Sequence, residues 1–275
     1  MAREREGRAL AYPAHSRRSG GLSVGINLFP DGKRCAFDCP YCEVFRAPDG
    51  ADSRAGISLG QMESELRGVI AWARERNERV MDVCFSGNGE PTLCADFPEA
   101  LAVAARVRAE AAPSAKLVLI TCGSGLLDPR IFSLLRGAAC GPPMLDVWLK
   151  LDAGTRDWHG KIIGTAIPHE KLTAKIKEFA ALAPATIQTM LCAVDGAPPP
   201  PEEDRAWERI MLELAAGGNI RKAQIYGKAR PSPSDPKAEA LPAEILERRA
   251  ASLRAALAFL ADSRGVSVPQ VEVYP

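Results

Sequence analysis

Long uncharged apolar runs are missing from this 275-residue chain, so no segment reads as a bilayer-spanning helix. Nor does a basic, apolar, small-residue leader open it, and no membrane partner is expected. Aromatic residues make up only 6% and the formal charge is +1, which argues against a protein whose main work is gripping a nucleic-acid backbone. Histidine is scarce: His15, His159 and His169 are all there is. No H-x3-H pair and no second C-x2-C occur, so the pieces of a closed zinc tetrahedron are wanting. Five of the eight cysteines, Cys84, Cys94, Cys122, Cys140 and Cys192, stand singly and do not form a secreted disulfide framework. The expected home is a reducing cytoplasm.

What the chain does have is Cys35-Ala36-Phe37-Asp38-Cys39-Pro40-Tyr41-Cys42, three thiols in eight residues. An ordinary ferredoxin-type cluster takes four cysteines, whereas a [4Fe-4S] cluster on three thiolates keeps one iron open to a small molecule. The alternatives are small buried hydrophobes, or half of a zinc site completed by a histidine or a distant cysteine.

Around this loop the chain alternates strand and helix. Residues 1–15 read as a flexible arm, frayed from Met1 to about Gly7. Arg17 and Arg18 beside Gly20 and Gly21 read either as a solvated turn or as an anion contact near a barrel mouth. Leu22 to Phe29 reads as the first strand, and Pro30 to Gly32 as the turn that launches the cysteine loop. Ser58 and Gln61 have capping-box form ahead of Leu59, Met62, Leu66, Val69, Ile70 and Ala73 at helical spacing. Strands follow at Val80 to Phe85, Lys116 to Cys122, Leu145 to Leu151, Ala185 to Cys192 and Arg221 to Tyr226. Helices are expected from Asp96 to about Ala111, Asp128 to about Gly137, His169 to about Leu182 and Pro201 to about Ala216.

Near-continuous apolar strands between helices predict a parallel sheet, here a partial (βα)6 TIM-type barrel of the α/β class in one domain spanning 1–275. Residues 231–275 form a C-terminal extension: a Pro-rich linker from Pro231 to Pro236, a helix from about Pro242 to Ala261 and a strand from Val268 to Tyr274.

In such a barrel the loops at the carboxyl ends of the strands carry the chemistry. The first strand ends in the three cysteines, the second in Ser86-Gly87-Asn88-Gly89-Glu90-Pro91-Thr92. Its glycines permit close backbone approach to a ligand, and Glu90 offers a carboxylate to an ammonium. Thr121 and Ser124 end the third strand, as ligand contacts or as helix caps. Lys150 and Asp152 bracket Leu151 and share one face, either for substrate or as a structural pair. Gln188 and Met190 share a face, as do Gln224 and Tyr226; pointing inward, they would line a wet cavity.

The C-x3-C-x2-C loop together with Gly87-Asn88-Gly89-Glu90 resembles the radical S-adenosylmethionine (SAM) superfamily and its GGE motif. More narrowly, Ser16 to Arg18, Ser23 to Asn27, Ser86 to Thr92, Lys150 to Gly154 and Ile187 to Met190 resemble the wyosine-synthase-like group, over roughly Ser16 to Arg230. The resemblance implies that Cys35, Cys39 and Cys42 bind a [4Fe-4S] cluster whose open iron is chelated by SAM. Gly87, Asn88, Gly89 and Glu90 would meet the methionine end of SAM, and Tyr41 the adenine, its backbone above all. Thr121, Ser124 and Gln188 would be further cofactor contacts, and Lys150 and Asp152 would be catalytic. It implies an oxidoreductase-type radical enzyme, in which reductive cleavage of SAM gives a 5′-deoxyadenosyl radical that abstracts hydrogen from an unidentified substrate in the barrel. A reductant such as flavodoxin or ferredoxin would feed it. Wyosine-forming relatives carry an additional Cys-bound cluster and act on tRNA; no second Cys triplet occurs here, so a tRNA-modifying enzyme is the alternative, and a non-catalytic metal-binding protein the other.

Overall fold

A computed structural model describes residues 9–44, 56–142 and 144–275. Met1 to Gly7, expected to fray, lies outside these. The described residues group into two compact units, one drawn from 9–35, 44, 56–121, 141–142 and 144–146, the other from 36–43, 122–140 and 147–275. The division falls between Cys35 and Ala36, inside the cysteine loop.

In the first unit β1 (Ala11–Ser16) pairs antiparallel with β2 (Gly21–Ile26), and β2, β3 (Val80–Phe85) and β4 (Lys116–Thr121) pair in parallel. Val24, Ile26, Val83, Phe85 and Leu119 are wholly buried, as expected of parallel strands covered on both faces. Helix α1 (Leu59–Glu75) begins where the sequence predicts: the Ser58 hydroxyl accepts from the Gln61 N–H at 3.2 Å, and Met62, Leu66, Ile70 and Ala73 form its buried stripe. Before α2 (Phe97–Ala111), Asp96 makes no cap bond with its side chain; the carboxylate instead accepts from the Ile57 N–H at 3.0 Å and ties down the approach to α1.

One expectation is corrected in this unit. Residues 11–15 are no flexible arm but most of strand β1, in register from Ala11↔Ile26 to Ser16↔Gly21. The Glu65 carboxylate on α1 fixes its start, accepting from the N–H groups of Leu10 at 2.7 Å and Ala11 at 3.1 Å. Pro13 masked the pattern, because proline is tolerated on an edge strand but reads as a breaker. Arg17 and Arg18 lie in the turn between β1 and β2, at the start of β2, while the cysteine loop follows its other end.

In the second unit β5 (Leu145–Lys150, its first two residues counted with the first unit), β6 (Ala185–Val194), β7 (Ile220–Gly227) and β9 (Gln270–Tyr274) run parallel in that order. The short β8 (Ala238–Ala240) pairs antiparallel with the end of β6. Between them come α3 (Pro129–Cys140), α4 (Arg156–Ile162), α5 (His169–Leu182), α6 (Pro201–Gly217) and α7 (Ala243–Arg264). All ten residues of β6 are buried. Each of β2 to β7 is thus followed by a helix, six βα units as expected. Seven-residue α4 was not anticipated; it is too short for a readable period, although Thr155 caps it by accepting from the Trp158 N–H at 3.2 Å.

Candidate cofactor and substrate site

In the first unit the glycine-rich loop after β3 is woven into the peptide that enters the cysteine loop. The Arg34 N–H donates to the Asn88 carbonyl at 3.0 Å, and the Glu90 N–H donates to the Arg34 carbonyl at 2.7 Å, so Arg34 and Gly89 form a parallel bridge. A Cβ on Gly89 would overlap the Arg34 backbone, and one on Gly87 would lie 2.8 Å from the Asn27 side-chain oxygen; both glycines have positive φ, +143° and +132°. The close approach these glycines permit is therefore of the protein to itself. Asn27, at the end of β2, completes the weave by accepting through Oδ1 from the N–H groups of Phe29 and Asn88, both at 3.1 Å.

Glu90 is only 2% exposed. Its Oε1 accepts from the Thr92 N–H at 3.2 Å, the Thr92 hydroxyl at 2.6 Å and the Thr121 hydroxyl at 2.7 Å. Thr121 thus orients Glu90, bringing the ends of β3 and β4 together. Tyr12, which the sequence did not single out, lies across Gly25 on β2 and reaches Ser86 with its hydroxyl at 3.1 Å; a Cβ on Gly25 would enter the Tyr12 ring. The glycine in mid-strand was the available signal.

In the second unit, residues 36–43 carry Cys39 and Cys42, joined by a turn in which the Cys42 N–H donates to the Cys39 carbonyl at 3.0 Å. Tyr41 between them is buried and donates its hydroxyl to Asp152. Burial, then the Asp152 carboxylate, hold the phenol well above its ordinary pKa. The Lys150 ammonium lies 4.7 Å from the ring centres of both Tyr41 and Tyr226, contacts the Tyr226 hydroxyl, and pairs with Asp152 at 3.1 Å. Burial alone would lower the lysine pKa; Asp152 and Tyr226 outweigh it and raise the value, so the ammonium is charged at every physiological pH. Asp152 Oδ1 meanwhile accepts from the Met190 N–H at 2.8 Å. The buried pair is thus answered from within, by two phenols and an amide, which is the condition for burying such charges.

The chain around this pair is locked from behind. The Leu151 carbonyl accepts from the Thr189 hydroxyl at 2.9 Å and from the Trp207 indole at 3.2 Å. The fully buried Glu203 carboxylate accepts from the N–H groups of Gly154 at 2.5 Å and Thr155 at 2.8 Å, and a Cβ on Gly154 would overlap the Trp207 backbone.

Gln188 and Gln224 share a face as expected, but as a hydrogen-bonded row. Register sets Lys150, Gln188, Gln224 and Glu272 side by side on β5, β6, β7 and β9. Gln188 Nε2 donates to Gln224 Oε1 at 2.8 Å, and Gln224 Nε2 donates to Glu272 at 2.9 Å. Both glutamines are buried, and Gln188 Oε1 meets no hydrogen-bond partner among the described residues. Ser124, also buried, accepts at 3.2 Å from the Cys122 thiol.

All eight cysteines are thiols outside any disulfide. Cys35, Cys39 and Cys42 are half-buried, whereas Cys84, Cys94, Cys122 and Cys192 are buried and Cys140 is exposed. Burial pushes Cys192 up to about 12 and raises Cys84 strongly, so these two are inert thiols. Among the described residues no three His, Cys, Asp or Glu side chains converge as a ready-made metal site. The chemistry of the donor set nevertheless fits an iron-sulfur cluster: three half-exposed thiols on one short loop, anchored by its own backbone, with a buried carboxylate one peptide bridge from the first of them.

This arrangement has counterparts. The family model "Radical SAM superfamily" matches residues 29–214, more than half of the chain, and the chain belongs to that superfamily. It is therefore an enzyme of the radical SAM class. A crystal structure of a radical SAM methyltransferase from Sphaerobacter thermophilus matches with TM-score 0.63 and 16% identity, over 96% of this chain and 77% of that one. A crystal structure of archaeal TYW1 matches with TM-score 0.53 and 12% identity, over 85% and 71%. These likenesses show the fold, the α/β partial TIM-type barrel that the sequence predicted. The UPF0026 protein of Helicobacter pylori (strain J99 / ATCC 700824) is 25% identical over 124 residues, 45% of this chain but only 38% of its own length. Among the described residues no helix is long and apolar enough to cross a membrane.

Proposed function

We propose that the chain holds one [4Fe-4S] cluster on Cys35, Cys39 and Cys42, binds SAM beside Glu90, and acts on a substrate not yet identified. When bound, the cluster and SAM supply reductive cleavage to a 5′-deoxyadenosyl radical, chemistry that belongs to the cofactors. The protein supplies position. Glu90, oriented by Thr92 and Thr121, takes the methionine ammonium; Gly87 to Gly89 keep the loop against Arg34. Tyr41 offers its backbone to the adenine, since its hydroxyl is engaged by Asp152. Ser124 and Gln188 are further cofactor contacts, and Lys150 with Asp152, a fixed, charged pair, are the catalytic residues.

The observation that carries this reading is the bridge between Arg34 and Gly89, which joins the residue before Cys35 to the loop bearing Glu90. It is tested by anaerobic reconstitution, then SAM and dithionite. The expected result is about four irons and four sulfides per chain and formation of 5′-deoxyadenosine, both lost in Cys39→Ala. Zinc without sulfide, or 5′-deoxyadenosine undiminished in that variant, would refute it. A tRNA substrate is the second reading, supported by the likeness to archaeal TYW1; it predicts co-purified tRNA released steeply with salt.

A further inference from the structure

The segment carrying Cys39 and Cys42 is held along its length by groups far away in sequence. The Thr165 hydroxyl donates to the Ala36 carbonyl at 2.8 Å. The Asp38 N–H donates to the carbonyls of Ile163 at 2.9 Å and Gly164 at 3.2 Å, and Gly164 itself, at φ +60°, comes so close that a Cβ would stand 2.9 Å from the Asp38 oxygen. On the other side of Cys39, the Ser232 hydroxyl lies 2.7 Å from the Pro40 carbonyl. Ser232 is 8% exposed and belongs to the stretch from Pro231 to Pro236, which the sequence reading took for a linker. It is no spacer: Asp235, held by the Ser232 N–H at 2.8 Å and by Lys228 at 2.9 Å, stands 2.8 Å from the Ser232 hydroxyl, whose one hydrogen is shared between that carboxylate and the Pro40 carbonyl, so a small network fixes the serine against the peptide.

Proline 40 gives this contact its meaning. Its carbonyl accepts for the short bend between two cysteines, in which the Cys42 N–H already turns back to Cys39. A hydroxyl held against that carbonyl, its hydrogen shared with Asp235, restricts the bend whether or not metal is present. We infer that Ser232, aimed by Asp235, is a positioning residue that pre-orders Cys39 and Cys42 for metal, and that the loop between β7 and β8 is a clamp on the cysteine peptide. The inference rests on the reading that these cysteines hold the cluster. Outer hydrogen bonds of this kind govern how firmly a metal site is kept.

The test uses the full-length apo-protein under anaerobic conditions, and the same protein after reconstitution with iron and sulfide. In apo-protein, Ser232→Ala is expected to raise iodoacetamide alkylation of Cys39 and Cys42 roughly three- to tenfold, the effect of one net hydrogen bond. Cys140, exposed on α3, should keep its rate, the melting temperature should stay near wild type, and Ser232→Thr should restore protection. Thr165→Val, at the other anchor, should act in the same direction and serves if Ser232→Ala does not fold. After reconstitution, Ser232→Ala should lose iron to a chelator faster by a similar factor. Unchanged rates at Cys39 and Cys42 in both variants would overturn the clamp, as would equal acceleration at Cys140, which would mean general loosening. If alkylation responds as expected but neither wild type nor variant takes up iron and sulfide, the clamp stands and the cluster reading fails.

Discussion

The loop after β3 and the segment after β5 solve the same problem in different ways. Each must hold a buried carboxylate, Glu90 or Asp152, in one direction. The first does it largely with backbone: Gly87 and Gly89 let the Asn27 side chain and the Arg34 peptide approach, so that Arg34 bonds Asn88 and Glu90 main chain to main chain and Asn27 Oδ1 accepts from the Asn88 N–H. Hydroxyls of Thr92 and Thr121 then aim the carboxylate. The second does it with large side chains brought from elsewhere: Trp207 and Glu203 on α6 lock the chain, and Lys150, Tyr41 and Met190 surround Asp152. A backbone weave is compact and needs glycine. A side-chain lock tolerates most local residues but depends on partners tens of positions away.

Substitutions should separate the two. The largest effect is expected from Gly89→Ala, which combines a φ of +143° with overlap on the Arg34 backbone: a loss of about 3 kcal/mol or more by denaturant unfolding, with SAM binding by calorimetry lost as well. Full tolerance there would mean that the weave is not what holds Glu90. Next comes Trp207→Phe, which keeps the ring but deletes the donor to Leu151 and Thr189; a cost of about 1–2 kcal/mol is expected, with the glycine-rich loop unaffected. Equal loss of SAM affinity in both variants would erase the distinction. The smallest effect tests neither loop and calibrates both. Glu63, half-buried between Arg106 and Arg67, has its pKa lowered from the ordinary 4.5 to about 2 by hydrogen bonds from Arg106 and then Arg67. A depressed carboxylate pKa stabilises the fold above pH 4.5 and loses that contribution as pH falls toward 2. Arg106→Ala should therefore narrow the gap in melting temperature between pH 6 and pH 3 slightly, and a widened gap would reverse the sign.

The same contrast decides what could be read from the sequence. Gly87, Gly89 and Glu90 announce themselves because a glycine requirement is written locally, as do the Ser58 cap and the six apolar strands. Thr121 is read at its strand end, but not its hydrogen bond to Glu90 on the neighbouring strand's loop. Trp207, 56 residues from the carbonyl it binds, and Ser232, 192 residues from Pro40, carry no local mark. Their roles exist only once the chain has folded. β1 escaped for another reason: as an edge strand carrying Pro13, it lacks the apolar continuity by which its neighbours were recognised.

The row formed by Gln188, Gln224 and Glu272 has an electrical sense that none of its amides chooses for itself. A carboxylate only receives hydrogens, so Gln224 must turn its nitrogen to Glu272 and Gln188 must turn its nitrogen to Gln224. One negative group on β9 thereby sets which way an amide faces two strands inward, leaving the Gln188 oxygen at the inner end of the series, as a compass needle is set by a distant pole.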